Sequence, residues 1–269
     1  MAWAVTGANG QLGTALCSLA SSGDSSVDPA ISFHPLTHQD LDITKLPQVE
    51  RVLTQLRPEG VINTAAYNFV DKAEDAPLDA LELNSGGPMI LASVCKTLRI
   101  PLLHVSTDFV FAGDKQSPYT EDDTPAPLGA YGRSKLSGEK AVRDGIPQHF
   151  IVRTCGVYGR AASVGKGNFV ETMLRLARER DYLKVVNDQR CTPTSALELA
   201  RGISRLIRTN AWGTYHLTCS GDCSWYEFAV EILRQAGLST PVIPITSAEF
   251  AAKGPPPHFI VPNFHKFNR

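Results

Sequence analysis

The stretch that most constrains this chain is Thr6-Gly7-Ala8-Asn9-Gly10-Gln11-Leu12-Gly13, set between a short apolar run, Trp3–Thr6, and a segment of helical period that begins at Gln11. Glycine at Gly7 permits a tight turn, at Gly10 it lets the backbone approach a pyrophosphate, and at Gly13 it lets a helix pack closely on a strand. The helix would then offer unpaired N–H groups and the positive end of its dipole to a phosphate. Such spacing is weak evidence alone. Its place after the first strand strengthens it, because open α/β sheets bind ligands at the carboxyl ends of their strands.

The rest of the chain repeats that alternation. Short β-branched runs at Trp3–Thr6, Ile31–Leu36, Val61–Asn63, Leu102–Ser106, Phe150–Arg153, Lys184–Val186 and Thr214–Leu217 read as strands. Segments of helical period lie between and after them at Gln11–Ser21, Leu46–Leu56, Leu78–Leu98, Ala130–Arg143, Phe169–Arg180, Ala196–Arg208 and Trp225–Ala236. This is the pattern of βαβ units and predicts an α/β fold of the Rossmann type, with a doubly wound parallel sheet.

Composition excludes other classes. In 269 residues, 43% are hydrophobic and 20% charged, which is ordinary globular usage rather than that of a disordered or collagen-like chain. The net charge of -1 and the lack of a dense Lys/Arg run argue against nucleic-acid or anionic-membrane partners. The beginning, Met-Ala-Trp-Ala-Val, has neither a basic region nor an apolar leader, and no apolar run reaches the roughly 18 residues of a membrane span, so a cytoplasmic protein is expected. Six cysteines are scattered without CxxC spacing, so neither a zinc site nor a disulfide framework is expected; Cys219 and Cys223 flank a Gly-Asp turn and read as small packed hydrophobes.

The nicotinamide type stays open. An acid about twenty residues past the glycines would favour NAD by bonding the ribose 2′-hydroxyl. Asp24 and Asp28 have that spacing but precede the second strand, and the strand tip, Leu36-Thr37-His38, carries neither an acid nor an arginine.

Within the helix expected at Ala130–Arg143, Tyr131 and Lys135 are four residues apart and share a face. A phenol that titrates near ~10 can donate a proton, and a neighbouring ammonium is expected to lower its pKa toward the working range. Strand four ends His104-Val105-Ser106-Thr107-Asp108, which brings hydroxyls to the same sheet edge as the glycine loop, where one could hold a carbonyl oxygen against the acid.

These residues resemble the extended short-chain dehydrogenase/reductase family, and within it the reductases of nucleotide-sugar 4-ketones. The likeness rests on TGANGQLG, LDIT, VINTAAYNFVDKAE, VSTDFVFAG, YTEDDTPAPLGAYGRSKLSGEKAV, VRTCGVYG, GNFV and NDQRCTPT, which extend to about Thr194. The resemblance implies Thr107, Tyr131 and Lys135 as the catalytic trio, with Tyr131 protonating the C4 oxygen and Lys135 also holding the nicotinamide ribose of NADPH or NADH. It implies Gly7, Gly10, Gln11 and Leu12 at the pyrophosphate, Asp42 and Ile43 beside the adenine, and Ala65, Ala66 and Tyr67 over the cofactor. Ser106, Thr107, Asp108, Asn168 and Phe169 would face a nucleotide-sugar substrate. Residues 1–153 would be mainly the dinucleotide-binding domain, and 154–269 a small C-terminal substrate-binding lobe interleaved with its last strands and helices. A homodimer stays open and no metal is expected, since Ala15 stands where some relatives place an acid for one.

Cys155-Gly156 stands where many such reductases carry an aromatic residue, and Pro255-Pro256-Pro257-His258 where an Arg-Pro pair is usual; the chain stops at Arg269, where relatives continue into another helix. Phe109 follows the Thr-Asp pair where dehydratases of this fold have Glu, which disfavours dehydration. The regulatory β subunit of methionine adenosyltransferase resembles the same family, so a binding role without turnover stays open alongside reduction of another nucleotide 4-keto sugar.

Overall fold

The computed structural model describes residues 1–21, 24, 28–115, 117–161 and 167–250. The Pro255–His258 segment and Arg269 lie outside them. The first half runs β1 (Ala2–Thr6), α1 (Gln11–Ser21), β2 (Ser32–Leu36), α2 (Leu46–Leu56), β3 (Gly60–Asn63), α3 (Val70–Asp75), α4 (Pro77–Leu81), α5 (Gly87–Leu98) and β4 (Leu102–Thr107). It continues through α6 (Ala130–Gly145), β5 (His149–Thr154), β6 (Val157–Tyr158), α7 (Phe169–Glu179), β7 (Leu183–Val186), β8 (Arg190–Cys191) and β9 (Thr194–Ser195). The last elements are α8 (Ala196–Leu206), β10 (Gly213–His216), β11 (Cys223–Ser224), α9 (Trp225–Gln235), β12 (Val242–Ile245) and α10 (Ser247–Phe250).

Six strands form one parallel sheet in the order β2-β1-β3-β4-β5-β10. Strands in such a sheet are apolar on both faces because helices cover both. Trp3 and Val5 of β1 pack with Leu12, Leu16 and Leu19 of α1 and Leu199 and Ile203 of α8. Ala4, between them, faces Val49 and Leu53 of α2 and Leu91 and Cys95 of α5. The winding reverses between β1 and β3, and a crevice opens there at the carboxyl ends of the strands.

Two elements differ from the sequence expectation. The segment Lys184–Val186 does become a strand, but β7 pairs in parallel with β12 in a separate two-stranded sheet, not with the central one. Leu183 and Val185 are buried there among Met173 and Ala177 of α7 and Ala229, Ile232 and Leu233 of α9, a second core that no local pattern assigns. The helix expected over Leu78–Leu98 is interrupted at Glu82–Gly86 by a π-helical turn before Gly87-Pro88 opens α5. Pro88 has no N–H and is tolerated only in a helix's first turn, so the chain restarts its helix there. Among the described residues, no helix is long and apolar enough to cross a membrane.

Candidate active site

The glycine loop closes the crevice as tightly as its spacing implies. Gly7 has φ +67°, and a Cβ there would lie 2.7 Å from the Ala65 nitrogen. A Cβ at Gly13 would lie 2.6 Å from the Gly7 oxygen, so α1 can approach β1 only because both positions lack one. Thr64 donates its hydroxyl to the Thr6 oxygen at 2.6 Å and to the Gly7 oxygen at 3.3 Å, tying the loop after β3 to the loop after β1. The first-turn N–H groups of a helix lack intrahelical partners, and Gly10, Gln11 and Leu12, at the start of α1, line the crevice.

Helix α6 is brought onto the same edge by close backbone contact. Its first N–H, at Ala130, donates to the Glu74 carboxylate at 2.6 Å, a favourable charge for a helix N-terminus. A Cβ at Gly132 would fall 2.3 Å from the Phe109 oxygen, and one at Gly138 would fall 2.1 Å from the Asn84 oxygen. The helix therefore lies directly on the 3-10 turn after β4 (Asp108–Val110) and on the π turn. Asn84, inside that π turn, accepts from the Tyr67 nitrogen at 2.8 Å and donates to the Tyr67 oxygen at 2.9 Å and to the Ser134 hydroxyl at 3.0 Å.

These contacts gather Tyr131, Lys135, Ser106, Thr107 and Asp108 on one cavity of about 350 Å³, within the range of small-molecule sites. Gly10, Gln11, Leu12, Ala66, Asn168 and Phe169 line it too. Thr107 donates to Asp108 at 2.8 Å and lines the cavity beside Tyr131. Lys135, 2% exposed, donates to the Val105 oxygen at 2.7 Å. Burial pulls its pKa down to about 8, against the opposing pull of Glu139. That carboxylate is itself buried, chelates Arg153 at 2.9 and 2.7 Å and accepts from Ser106 at 2.6 Å.

The expectation that Lys135 lowers the Tyr131 pKa is not met. Burial pushes the phenol up to about 12, the Thr107 hydrogen bond opposes this, and the Asp108 charge adds to it. In this low-dielectric setting desolvation outweighs any cation. Asp108 is raised to about 6, first by burial, with hydrogen bonds from Cys155 and Thr107 opposing.

The family described as the RmlD substrate binding domain matches residues 1–267. The chain belongs to this family. It is 39% identical over 236 residues to the dTDP-4-keto-6-deoxy-D-glucose reductase of Streptomyces niveus, covering 87% of this chain and 78% of that protein. It is likewise 39% identical to the dTDP-4-dehydrorhamnose reductase of Sinorhizobium fredii, over 85% of this chain and 76% of that one. The dTDP-4-dehydrorhamnose reductase of Bacillus anthracis, solved in complex with NADP, superposes with a TM-score of 0.91 at 36% identity, covering 99% of this chain and 92% of that one.

In this member of the RmlD family the remaining expected residues lie off the cavity wall. Gly7 shapes the loop, and Ala65 donates its N–H to Asn63 at 3.2 Å. Tyr67 is held by Asn84, as described. Ile43 is buried in the core against Gly87, and Asp42 accepts from the Thr44 nitrogen and hydroxyl at 2.9 and 2.7 Å. Asn168 reaches the cavity, but its amide caps α7 through the Glu171 nitrogen and bridges Gln11 and the Gly159 oxygen. Asp24 pairs with Arg201 of α8, and Asp28 with Arg208 just beyond it.

Several lining residues escape a sequence reading. Thr64 and Asn68 come from the loop after β3, Val70 from the start of α3, and Trp225 from the start of α9. Trp225 packs on Phe169 with ring centroids 4.7 Å apart, which supplies an aromatic wall although Cys155-Gly156 does not. Only the capping box at Ser224 and Glu227 hints at its placement, by marking where α9 begins.

Proposed function

We propose that this protein reduces the C4 ketone of a dTDP-linked 6-deoxy-4-keto sugar with NADPH, converting dTDP-4-dehydrorhamnose to dTDP-L-rhamnose. The observation that carries this reading is Tyr131, Lys135 and the hydrogen-bonded pair Thr107 and Asp108 gathered on a cavity shared with the N-terminus of α1. The similarity to reductases of dTDP-4-keto sugars, one of them holding NADP, supports the substrate and the cofactor.

The site residues fit a dinucleotide. Gly7, Gly10 and Gly13 leave room where side chains would obstruct, and Gln11 and Leu12 stand at the helix end that favours phosphate. Lys135 offers a cation toward the nicotinamide ribose. When bound, NADPH supplies hydride to the carbonyl carbon.

Tyr131 holds the proton that the carbonyl oxygen needs. With its pKa near 12 the phenol stays protonated at every working pH, so the proton is retained until charge develops on the oxygen. Thr107 lines the cavity beside the phenol, where its hydroxyl, once turned from Asp108, can donate to that oxygen. Phe109, Phe169 and Trp225 line the same cavity with apolar faces on which sugar and base can pack while water is displaced. The region built by α7, β7, α9 and β12 contributes Phe169 and Trp225, and is the sugar-nucleotide side of the site.

The test is loss of reduced-nicotinamide absorbance when purified protein meets NADPH and freshly made dTDP-4-dehydro-6-deoxy-L-mannose. Sugar-dependent oxidation yielding dTDP-L-rhamnose is expected. Cofactor binding without oxidation of any dTDP-4-keto sugar would overturn the reading.

A further inference from the structure

Cys155 lines the cavity, Cys191 is buried, and Cys223 is half-buried. Cys155 is 2% exposed, and its thiol and those of Cys191 and Cys223 lie close enough to shift one another's pKa. Cys191 and Cys223 stand directly opposite one another in the antiparallel pair β8 and β11. Directly opposed residues of such a pair have Cα atoms about 4.5–5.5 Å apart, within the roughly 4.4–6.8 Å that a disulfide spans. Both are free thiols, and Cys223 is only half-buried.

We propose that Cys191 and Cys223 form a reversible two-electron redox site that takes a small disulfide such as oxidised glutathione as its oxidant. Cys223 is the thiol that reacts first, because it is half-buried and reachable whereas Cys191 is buried. Its thiolate attacks one glutathione sulfur, releases one glutathione thiolate and forms a mixed disulfide. Cys191 then loses its proton and attacks the Cys223 sulfur, releasing the second glutathione thiolate. Two protein thiols are oxidised and one glutathione disulfide is reduced to two thiols. The product removes the Cys191 thiol hydrogen next to Cys155, which lines the cavity together with Asp108. Cys219 is the competing half-exposed thiol, separated from Cys223 by the turn through Gly221.

The test titrates the full chain with oxidised glutathione and maps disulfides by mass spectrometry under non-reducing digestion. It needs no turnover, so its failure is separate from failure of the reductase assignment. The expected result is one intramolecular link joining the Cys191 and Cys223 peptides, loss of two titratable thiols, and full reversal by dithiothreitol. Cys219→Ser keeps the link, while Cys223→Ser and Cys191→Ser each abolish it; Cys191→Ser instead leaves glutathione on Cys223. A link between Cys219 and Cys223, a stable mixed disulfide in the parent chain, or no link at all would overturn the proposal.

Discussion

The Lys135 ammonium donates to the Val105 carbonyl oxygen at 2.7 Å, one residue before Ser106 hands its own hydrogen bond to Glu139 on the next turn of the lysine's helix. Helix α6 and strand β4 are thus tied twice, once by the cation and once by the carboxylate. The cost of keeping that cation dry appears in its pKa of about 8.

Turnover that needs the Lys135 ammonium falls as pH rises through about 8. Between that value and the ordinary 10.5 the unfolded chain binds a proton that the folded chain has lost, so this group makes stability rise with pH across the window. Thermal melts of the parent chain and Lys135→Met between those limits measure the difference, which closes at the alkaline end. At neutral pH Lys135→Met melts a few degrees higher while losing on the order of 100-fold or more in kcat/KM. An identical pH dependence of melting in the two proteins would show that Lys135 carries no depressed pKa.

Tyr131→Phe removes the proton donor and leaves the ring that packs edge-on against Phe109 at 5.5 Å. A loss of about 10²–10⁴-fold in kcat is expected, with NADPH affinity, read by fluorescence titration, nearly unchanged. Turnover close to that of the parent chain would remove Tyr131 from the acid's role.

Asp108, with its pKa raised to about 6, provides an acid limb in the rate profile, because below that pH the carboxylate that accepts from Thr107 is neutral. Asp108→Asn accepts the same hydrogen bond without titrating, so the profile flattens between pH 5 and about 7. Persistence of the limb in the variant would assign it elsewhere.

Gly138→Ala places a methyl group 2.1 Å from the Asn84 oxygen and forces α6 away from the π turn. A destabilisation of about 1–3 kcal/mol is expected from such overpacking, together with loss of activity. Gly86→Ala is the control: its backbone is helical and nothing lies within 4 Å of the added carbon, so stability should rise by about 0.5–1 kcal/mol. Urea denaturation of both variants reads the contrast, and equal effects would show that α6 tolerates separation from Asn84.

Local pattern determined a good deal of this protein. Helical period set α1, α2, α6 and α8 close to where they lie, and glycine spacing located the loop at Gly7, Gly10 and Gly13, because steric freedom and short-range periodicity are properties of neighbouring residues. The same reasoning put Tyr131 and Lys135 on one helical face and Thr107 at the end of β4. Tertiary structure decided what depends on distant partners. It sent β7 to β12 rather than to the central sheet, broke the helix before Gly87 to aim Asn84 at Tyr67, and set Cys191 opposite Cys223. It also reversed the expected shift of Tyr131, since desolvation is a property of everything packed around the phenol and no spacing along the chain encodes it.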